Sequence, residues 1–260
     1  MRILFLSNFF PPARPGGYTQ WCHEVAQRLE EQGHTIGVLT SHYEAEKAPP
    51  SEQNVYRLLH LEGDLAYYQP FHFFTRWKKQ HRQNLVFLEQ TVKDFAPDII
   101  FVWGMWALSK ALPALAEQLL PGRVVYYVSD YWPSALDMHT TYWQSPTRRG
   151  PLQVPKRVLS NVAMSMLSKE GEPELSFEQV ICVSARVREL LVEAGLPLQN
   201  ARVIYGGTDI ERFLNVRKHD YQSGHLKLLY AGQLVRHKGV HTAIEAMARL
   251  VNNQGFTQIT

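Results

Sequence analysis

A short stretch near the end of the sequence has the residue types that bind a phosphate. In residues 228–247, LLYAGQLVRHKGVHTAIEAM, an apolar run meets a glycine, then a basic turn, then apolar residues at helical spacing. Backbone N–H groups at the amino end of a helix attract an anion, and a neighbouring lysine strengthens the attraction. We therefore predict an anion-binding turn, and the alternative for its lysine is an ordinary solvated side chain. The predicted residues are Gln233, Arg236, Lys238 and Gly239.

A glycine pair near the start of the chain is a second candidate. Gly16 and Gly17 follow the apolar segment RILFLS and precede a helical pattern. Glycine lets the backbone approach an anion closely, although a pair of this kind can also be a plain turn. The G-x-G-x-x-G spacing of a dinucleotide-binding enzyme does not occur here after the first strand, which argues against a nicotinamide enzyme.

Residues at the ends of two later strands are candidates for the acceptor side of a site. Asp130 follows VVYYVS, and ligands bind beyond the carboxyl ends of strands in open sheets. The alternative for Asp130 is a cap or turn aspartate. Trp103 stands at the end of the strand PDIIFVWG and Trp106 follows it, so both are placed to line a pocket with Tyr18, although buried tryptophans are common in cores.

Composition and charge exclude several classes of protein. The formal net charge is +3, so no nucleic-acid partner is expected. No cluster of histidines, cysteines and carboxylates has metal-ligand spacing, so no metal is expected. Cys22 and Cys182 are predicted to be buried reduced thiols, which fits a cytoplasmic protein. The apolar run at the amino terminus is broken by prolines, which favours a first strand over a signal peptide.

Strands and helices are predicted to alternate over the first two hundred residues. This alternation is typical of a Rossmann-like doubly wound parallel sheet in the α/β class. The predicted strands begin at RILFLS, HTIGVLTS, NVYRLLHL, PDIIFVWG, RVVYYVSD, QVICVS and ARVIYGG, and the predicted helices cover about 18–32, 71–95, 107–119, 155–168 and 185–195.

The pattern divides the chain into two domains. Residues 1–213 form the first, 214–225 are a polar linker, and 226–260 begin a second Rossmann-like domain. That second part has at most two predicted strands, LKLLYAG and FTQIT, which are too few for an independent core. We therefore expect a truncated second domain, and a 260-residue chain that is inactive alone.

Three segments together resemble one enzyme family. They are FPPARPGGYTQWCHEVAQRLEEQGHTIGVLTS, then VICVSARVRELLVEAG with VIYGGTDIERF, then LLYAGQLVRHKGVHTAIEAM. Their order and spacing resemble the retaining glycosyltransferases of family 4, whose GT-B architecture has two facing Rossmann-like domains. The resemblance implies transfer of a sugar, with retention of configuration, from a nucleotide-diphosphate sugar to a glycan or lipid-linked acceptor, without a metal cofactor.

The resemblance also assigns roles to individual residues. Gly16 and Gly17 match the family's glycine loop, near the donor diphosphate and the acceptor. Lys238 and Gly239 match its G-R-L-x-x-x-K-G turn, which holds the donor phosphates, but Gln233 stands where the family has arginine. Whether the nearby Arg236 restores that charge is open.

Two further family positions carry over less fully. Asp130 falls where the family often has His-Asp, but Ser129 precedes it, so an acceptor-side histidine is not implied. The YGGTD segment keeps Gly207 and Asp209 of a second family motif. The family's acidic pair that grips the donor sugar is expected beyond Thr260.

Basic stretches raise the question of a membrane partner. Residues 72–82 combine aromatics and cations. Residues 138–169 contain no acidic residue and five cations, Arg148, Arg149, Lys156, Arg157 and Lys169. Basic amphipathic helices can rest on anionic lipid, and an ordinary half-buried helix is the alternative. A cytoplasmic enzyme peripheral to the inner face of the membrane is the resulting expectation. The rival hypothesis is a non-catalytic Rossmann-like binding module or an inactive fragment.

Overall fold

The fold was determined as a computed structural model, and it divides into two compact units, Met1–Gly206 and Gly207–Thr260. The sequence-based boundary after residue 213 stays a prediction, because most of the predicted linker lies outside the described residues. The structure describes residues 1–13, 16–49, 52–63, 67–146, 153–171, 173–208, 210–214, 225–226, 228–232, 234, 236–254 and 258–259.

The first unit alternates strands and helices, as the sequence predicts. Its strands are β1 (Arg2–Ser7), β2 (Thr35–Ser41), β3 (Val55–Leu59), β4 (Ile99–Gly104), β5 (Val124–Val128), β6 (Gln179–Cys182) and β7 (Arg202–Val203). Its helices are α1 (Gly17–Glu31), α2 (Pro70–His72), α3 (Lys78–Phe95), α4 (Ala111–Leu119), α5 (Met138–Gln144), α6 (Gln153–Glu170) and α7 (Ala185–Glu193). A π-helical segment, Phe73–Trp77, joins α2 to α3.

All seven strands form one parallel sheet in the order β3-β2-β1-β4-β5-β6-β7. The order reverses between β1 and β4, which is the topological switch point of a doubly wound sheet. The prediction of a Rossmann-like α/β fold is therefore confirmed for the first unit. The register between β1 and β4 shifts after Leu6, so that Ser7 pairs with Gly104.

Alternate residues of β1 build the cores on the two faces of the sheet. Ile3 and Phe5 pack with Cys22 and Ala26 of α1, which are one helical turn apart. Leu4 and Leu6 face the opposite way, into a larger cluster that includes Leu88 of α3. Helices thus cover both faces, and the carboxyl ends of the strands are left for the loops. Both cysteines are buried and free, as predicted.

The predicted helix over 71–95 is one continuous helical run with a π-helical segment inside it. Phe73 and Trp77 of this segment are buried and stack with ring centroids 4.9 Å apart, while Arg76 and the cations that follow lie on the exposed side. The aromatics of residues 72–82 therefore belong mainly to the protein interior, which corrects the idea that they share a membrane-facing surface with the cations.

The second unit contains a small sheet and one long helix. Strands β8 (His225–Leu226) and β9 (Gln258–Ile259) pair in parallel, and α8 covers Val240–Gln254. The predicted strand LKLLYAG is wrong for residues 228–232, which have no strand structure; Leu229 is 94% exposed. A strand needs a hydrogen-bonded neighbour, and among the described residues β9 pairs with 225–226 and not with 228–232.

Candidate functional site

The switch point between β1 and β4 holds a tightly bonded group of side chains. Asn8, which is fully buried, follows β1 directly. Its backbone N–H donates to the Gly104 carbonyl at 2.7 Å, and its side-chain Nδ2 donates to the Trp106 carbonyl at 2.7 Å. The Tyr18 hydroxyl donates to Asn8 Oδ1 at 2.6 Å. Asn8 therefore ties the loop after β4 to the first turn of α1.

Gly104 makes this arrangement possible because it has no side chain. A Cβ atom at this position would lie 2.8 Å from Asn8 Oδ1 and 2.8 Å from Tyr18 Cε2, closer than real Cβ atoms come to such neighbours. Sequence analysis missed both Asn8 and Gly104. The signal that could have found them is a polar residue and a glycine at the carboxyl ends of the two central strands.

The amino end of α1 lies at the same edge of the sheet. Gly16 is its N-cap and has an extended backbone (φ −143°), and Gly17 is its first residue. No side chain among the described residues caps this end, and its first turn contains no acidic residue. Neither glycine has a positive φ in the structure, so their backbone angles do not require glycine. The space beside Gly17 is open, because a Cβ atom at this position would meet nothing within 4 Å.

Asp130 lies two residues beyond the end of β5. Its Oδ1 accepts a hydrogen bond from the Trp132 N–H at 2.9 Å, which is the geometry of a turn aspartate. Burial raises the pKa of the Asp130 carboxyl above its usual range, although the Trp132 N–H opposes this shift. Burial also raises the pKa of Tyr18, and the charge of Asp130 raises it further. The Tyr18 hydroxyl therefore keeps its proton, which it donates to Asn8 Oδ1, and its oxygen can accept a hydrogen bond from a ligand.

The two predicted tryptophans have different surroundings. Trp106 is 43% exposed and lines a cavity of about 450 Å³. Trp103 is a core residue, because its ring stacks on Tyr127 at 4.4 Å and is 2% exposed. Its Nε1 donates to the Tyr18 carbonyl at 3.0 Å. The expectation that Trp103 lines an acceptor pocket is therefore corrected: Trp103 supports Tyr18 from inside the core.

The predicted phosphate turn lies in the second unit. Arg236–Lys238 form a 3₁₀ turn, and Arg236 and Lys238 are exposed. Gly239 follows with φ +73°, a left-handed conformation that favours glycine, and α8 begins at the next residue. Lys238 therefore lies at the amino end of a helix, as predicted. Gln233 lies outside the described residues, and so does Asp209.

The described residues bring Tyr18, Trp106 and Asp130 together with Asn8 at one edge of the first unit. This edge offers a protonated hydroxyl, a partly buried carboxyl, an exposed aromatic ring and the free N–H groups of a helix end. Such a set can bind an anionic or hydroxyl-bearing ligand and orient it. In the parts of the chain that the structure describes, no group of three histidines, cysteines or carboxylates is placed to hold a metal ion. No helix there is long and apolar enough to cross a membrane.

The fold is an open, parallel α/β sheet, and the edge that holds Asn8, Tyr18 and Asp130 lies at its topological switch point. A family model, Glycosyltransferase Family 4, matches residues 15–212, which is most of the chain. The chain belongs to this family, and the resemblance stated from the three sequence segments is confirmed.

Comparison with solved structures finds a distant likeness. It is to the crystal structure of a doubly substituted Os79 from O. sativa in complex with UDP, with 14% sequence identity and a TM-score of 0.36. The matched region covers 78% of this chain and 51% of that one, so this chain spans about half the length of that protein. A search of curated proteins gave no match.

Proposed function

We propose that this protein transfers a sugar from a nucleotide-diphosphate sugar to an acceptor, with retention of configuration at the transferred sugar. The observation that carries the proposal is the family 4 match over residues 15–212. The acceptor class that we propose is a glycan or a lipid-linked glycan. No resident metal or other cofactor takes part in the proposed reaction.

The geometry of the first unit supports an acceptor role for its strand ends. In the proposed complex, the acceptor lies against Trp106, and the Tyr18 hydroxyl and the Asp130 carboxyl orient the hydroxyl group that receives the sugar. Tyr18 suits this role because Asn8 and Trp103 hold it from two directions. The uncapped N–H groups of α1 add a partial positive charge for the donor diphosphate.

The turn of the second unit supports a donor role. As the bond to the sugar breaks, negative charge grows on the departing nucleoside diphosphate. Without a metal, cations and helix amino ends must stabilise that charge. Lys238 provides both features, because it is exposed and lies two residues before α8 begins at Val240. Arg236, two residues earlier in the same turn, is a second candidate for the same phosphates.

Replacing Lys238 tests the donor role. We expect Lys238→Ala to lower kcat/KM for transfer by about 10²–10³, the usual effect of removing one preorganised contact to a developing charge. The matched control is Lys93→Ala, an exposed lysine on α3, which should leave kcat/KM unchanged. Equal kcat/KM in Lys238→Ala and the parent protein would remove Lys238 from the donor site.

A membrane surface is the partner that we propose for α6. On this helix the apolar side chains of Val158, Leu159 and Val162 are 60%, 41% and 49% exposed. Arg157, which directly precedes them in the chain, is exposed as well. Apolar side chains flanked by cations suit the headgroup region of an anionic bilayer. Arg148 and Arg149, which the sequence analysis grouped with this helix, lie outside the described residues.

A further inference from the structure

Three cavities of the first unit meet around Glu62, a partly buried residue just beyond β3. They have volumes of about 310, 440 and 450 Å³, and Glu62 lines all of them. The first also touches His42 and His60 at the ends of β2 and β3, and the third reaches Trp106 at the end of β4. Together they outline a groove along one side of the strand ends, which we call the Glu62 groove.

The wall of the Glu62 groove is aromatic and almost free of unpaired charge. Tyr68 and Trp77 line it together with Trp106. Among the described residues that line the first cavity, Glu62 is the only Asp, Glu, Lys or Arg. Two charged residues that line the other cavities have partners within the protein. The Lys110 ammonium donates to the Pro133 carbonyl at 2.9 Å, and the Asp137 carboxylate caps α5 by accepting a hydrogen bond from the Thr140 N–H.

A histidine that lines this groove has a buried ring nitrogen without a hydrogen-bond partner among the described residues. His139 is 3% exposed and lines the first two cavities. Its Nδ1 contacts the Tyr68 hydroxyl at 2.7 Å, while its Nε2 has no hydrogen-bond partner among the described residues. Buried polar atoms are nearly always satisfied, so this nitrogen is a place for a ligand group.

The rings around His139 keep its imidazole uncharged. The Phe73 and Trp77 rings lie 5.0 and 5.8 Å from it, and burial lowers the pKa of His139 to about 4. Burial and the charge of Asp137 likewise raise the pKa of Glu62 to about 8, which keeps its carboxyl protonated at neutral pH. A neutral imidazole and a carboxylic acid both donate and accept with hydroxyl groups, whereas neither offers the charge that an anion needs.

We propose that the Glu62 groove binds an uncharged glycan, with one sugar in the first cavity against His139 and Tyr68 and the chain running towards Trp106. Aromatic faces would pack on the sugar C–H groups, and the histidine nitrogen would bond a sugar hydroxyl. That this glycan is the acceptor rests on the proposed transferase function. The binding itself does not, and can be measured with no nucleotide sugar present.

The test uses the protein on an immobilised panel of uncharged tri- and tetrasaccharides of hexoses and N-acetylhexosamines. Matched oligosaccharides of uronic acids and vesicles of anionic phospholipid complete the panel. We expect at least one uncharged glycan to bind, and binding to fall about tenfold or more in His139→Leu, which keeps bulk but removes both nitrogens. Trp106→Ala, at an exposed position, should lower affinity about fivefold. His34→Leu, away from the groove, should bind like the parent.

Each outcome decides the proposal. Preference for uronic acids or lipid vesicles, no binding by any uncharged glycan, or equal binding by the parent and Trp106→Ala would overturn it. Thermal unfolding of every variant shows which ones are folded, and Trp106→Ala carries the test if His139→Leu does not fold. If a glycan binds but no sugar is transferred, the proposal of the Glu62 groove stands and the proposed transferase function fails. If sugar is transferred but no glycan binds, the transferase function stands and the groove proposal fails.

Discussion

At the scale of single residues, the candidate site depends on the absence of a side chain at two glycines. Gly104 leaves room for Asn8 and Tyr18, whereas Gly17 faces open space at the first turn of α1. A side chain at Gly104 would therefore disturb the fold of the strand ends. A side chain at Gly17 would instead enter the region where we propose that the donor diphosphate approaches.

We expect Gly17→Val to lower kcat/KM for transfer while leaving Tm nearly unchanged. The reason is that its backbone has no positive φ and its Cβ would meet no neighbour, so the added bulk acts on the ligand alone. Thermal unfolding and kcat/KM should be measured on the same preparation.

Gly33→Val is the matched control. A Cβ at Gly33 also meets nothing within 4 Å, but its φ is +86°, which costs a β-branched residue about 1–2 kcal/mol. This variant should lose stability and keep its activity per folded molecule. If Gly17→Val is as active per folded molecule as the parent, the glycine pair is a plain turn.

Glu62 should make the folded protein less stable as pH rises from 6.5 to 8. Its pKa is about 8 in the folded state and near 4.5 in the unfolded chain, so the folded protein holds a proton that the unfolded chain has lost. His139, whose pKa burial lowers to about 4 in the folded state, acts in the opposite sense near pH 6.5, and it does so equally in the parent and in Glu62→Gln. We expect Tm to fall less steeply over this range in Glu62→Gln.

Thermal unfolding at pH 6.5, 7.2 and 8.0 measures this difference. The groups facing Glu62 are Asp137, which opposes ionisation, and Lys110, which favours it. Parallel Tm curves for the parent and Glu62→Gln would show that the Glu62 carboxyl is already ionised at pH 6.5.

The sequence allowed prediction of which residues lie at strand ends, but not of which ones touch. Asp130 and Trp106 were predicted because each follows a recognisable strand. The burial of Trp103 was not predicted. Trp103 and Trp106 are three positions apart, and only the pairing of the strand in the folded sheet shows which of the two rings points into the core. The Glu62 groove was missed because its residues come from loops and helices far apart in the chain.

At the scale of elements, the π-helical segment sets the shape of the groove wall. A π turn adds one residue to a helical turn, and such turns are frequent at functional sites. Here Phe73 and Trp77 stack on each other, and the His139 ring meets Phe73 at a tilt and Trp77 edge-on. Helical periodicity predicted the long helix over 71–95, but periodicity alone does not locate an added residue within it.

The exposed apolar face of α6 leads to a prediction about lipid binding. Replacing Arg148, Arg149, Lys156 and Arg157 with glutamine should weaken binding to anionic vesicles, by roughly fivefold for each cation that contacts the bilayer. Added salt should have the same effect, since it screens exposed charges. Co-sedimentation with vesicles measures the binding.

The control for α6 is the pair Arg28→Gln and Lys93→Gln, which removes exposed cations from α1 and α3. This pair should bind vesicles like the parent. Absence of binding by the parent protein at low salt would assign the exposed face of α6 to solvent rather than to a membrane.

At the scale of the whole molecule, the predicted residues are divided between the two units. The acceptor-side residues and the glycine pair belong to Met1–Gly206, and the phosphate turn belongs to Gly207–Thr260. Strand–helix alternation predicted the first unit well because each of its strands has a neighbour over most of its length. The second unit was predicted less well, since the segment LKLLYAG is apolar like a strand but pairs through only two residues.

Proton NMR of a transfer reaction tests the central claim most directly. Full-length protein that contains this chain is incubated with each of a series of nucleotide-diphosphate sugars and with the uncharged glycans that bind the Glu62 groove, or with free glycans of the same panel; the 260 residues alone are expected to be inactive. The account predicts a new anomeric signal on the glycan, with the configuration that the sugar had in the donor, and loss of that signal in Lys238→Ala. Intact donors throughout the series, or a product with the opposite anomeric configuration, would contradict it.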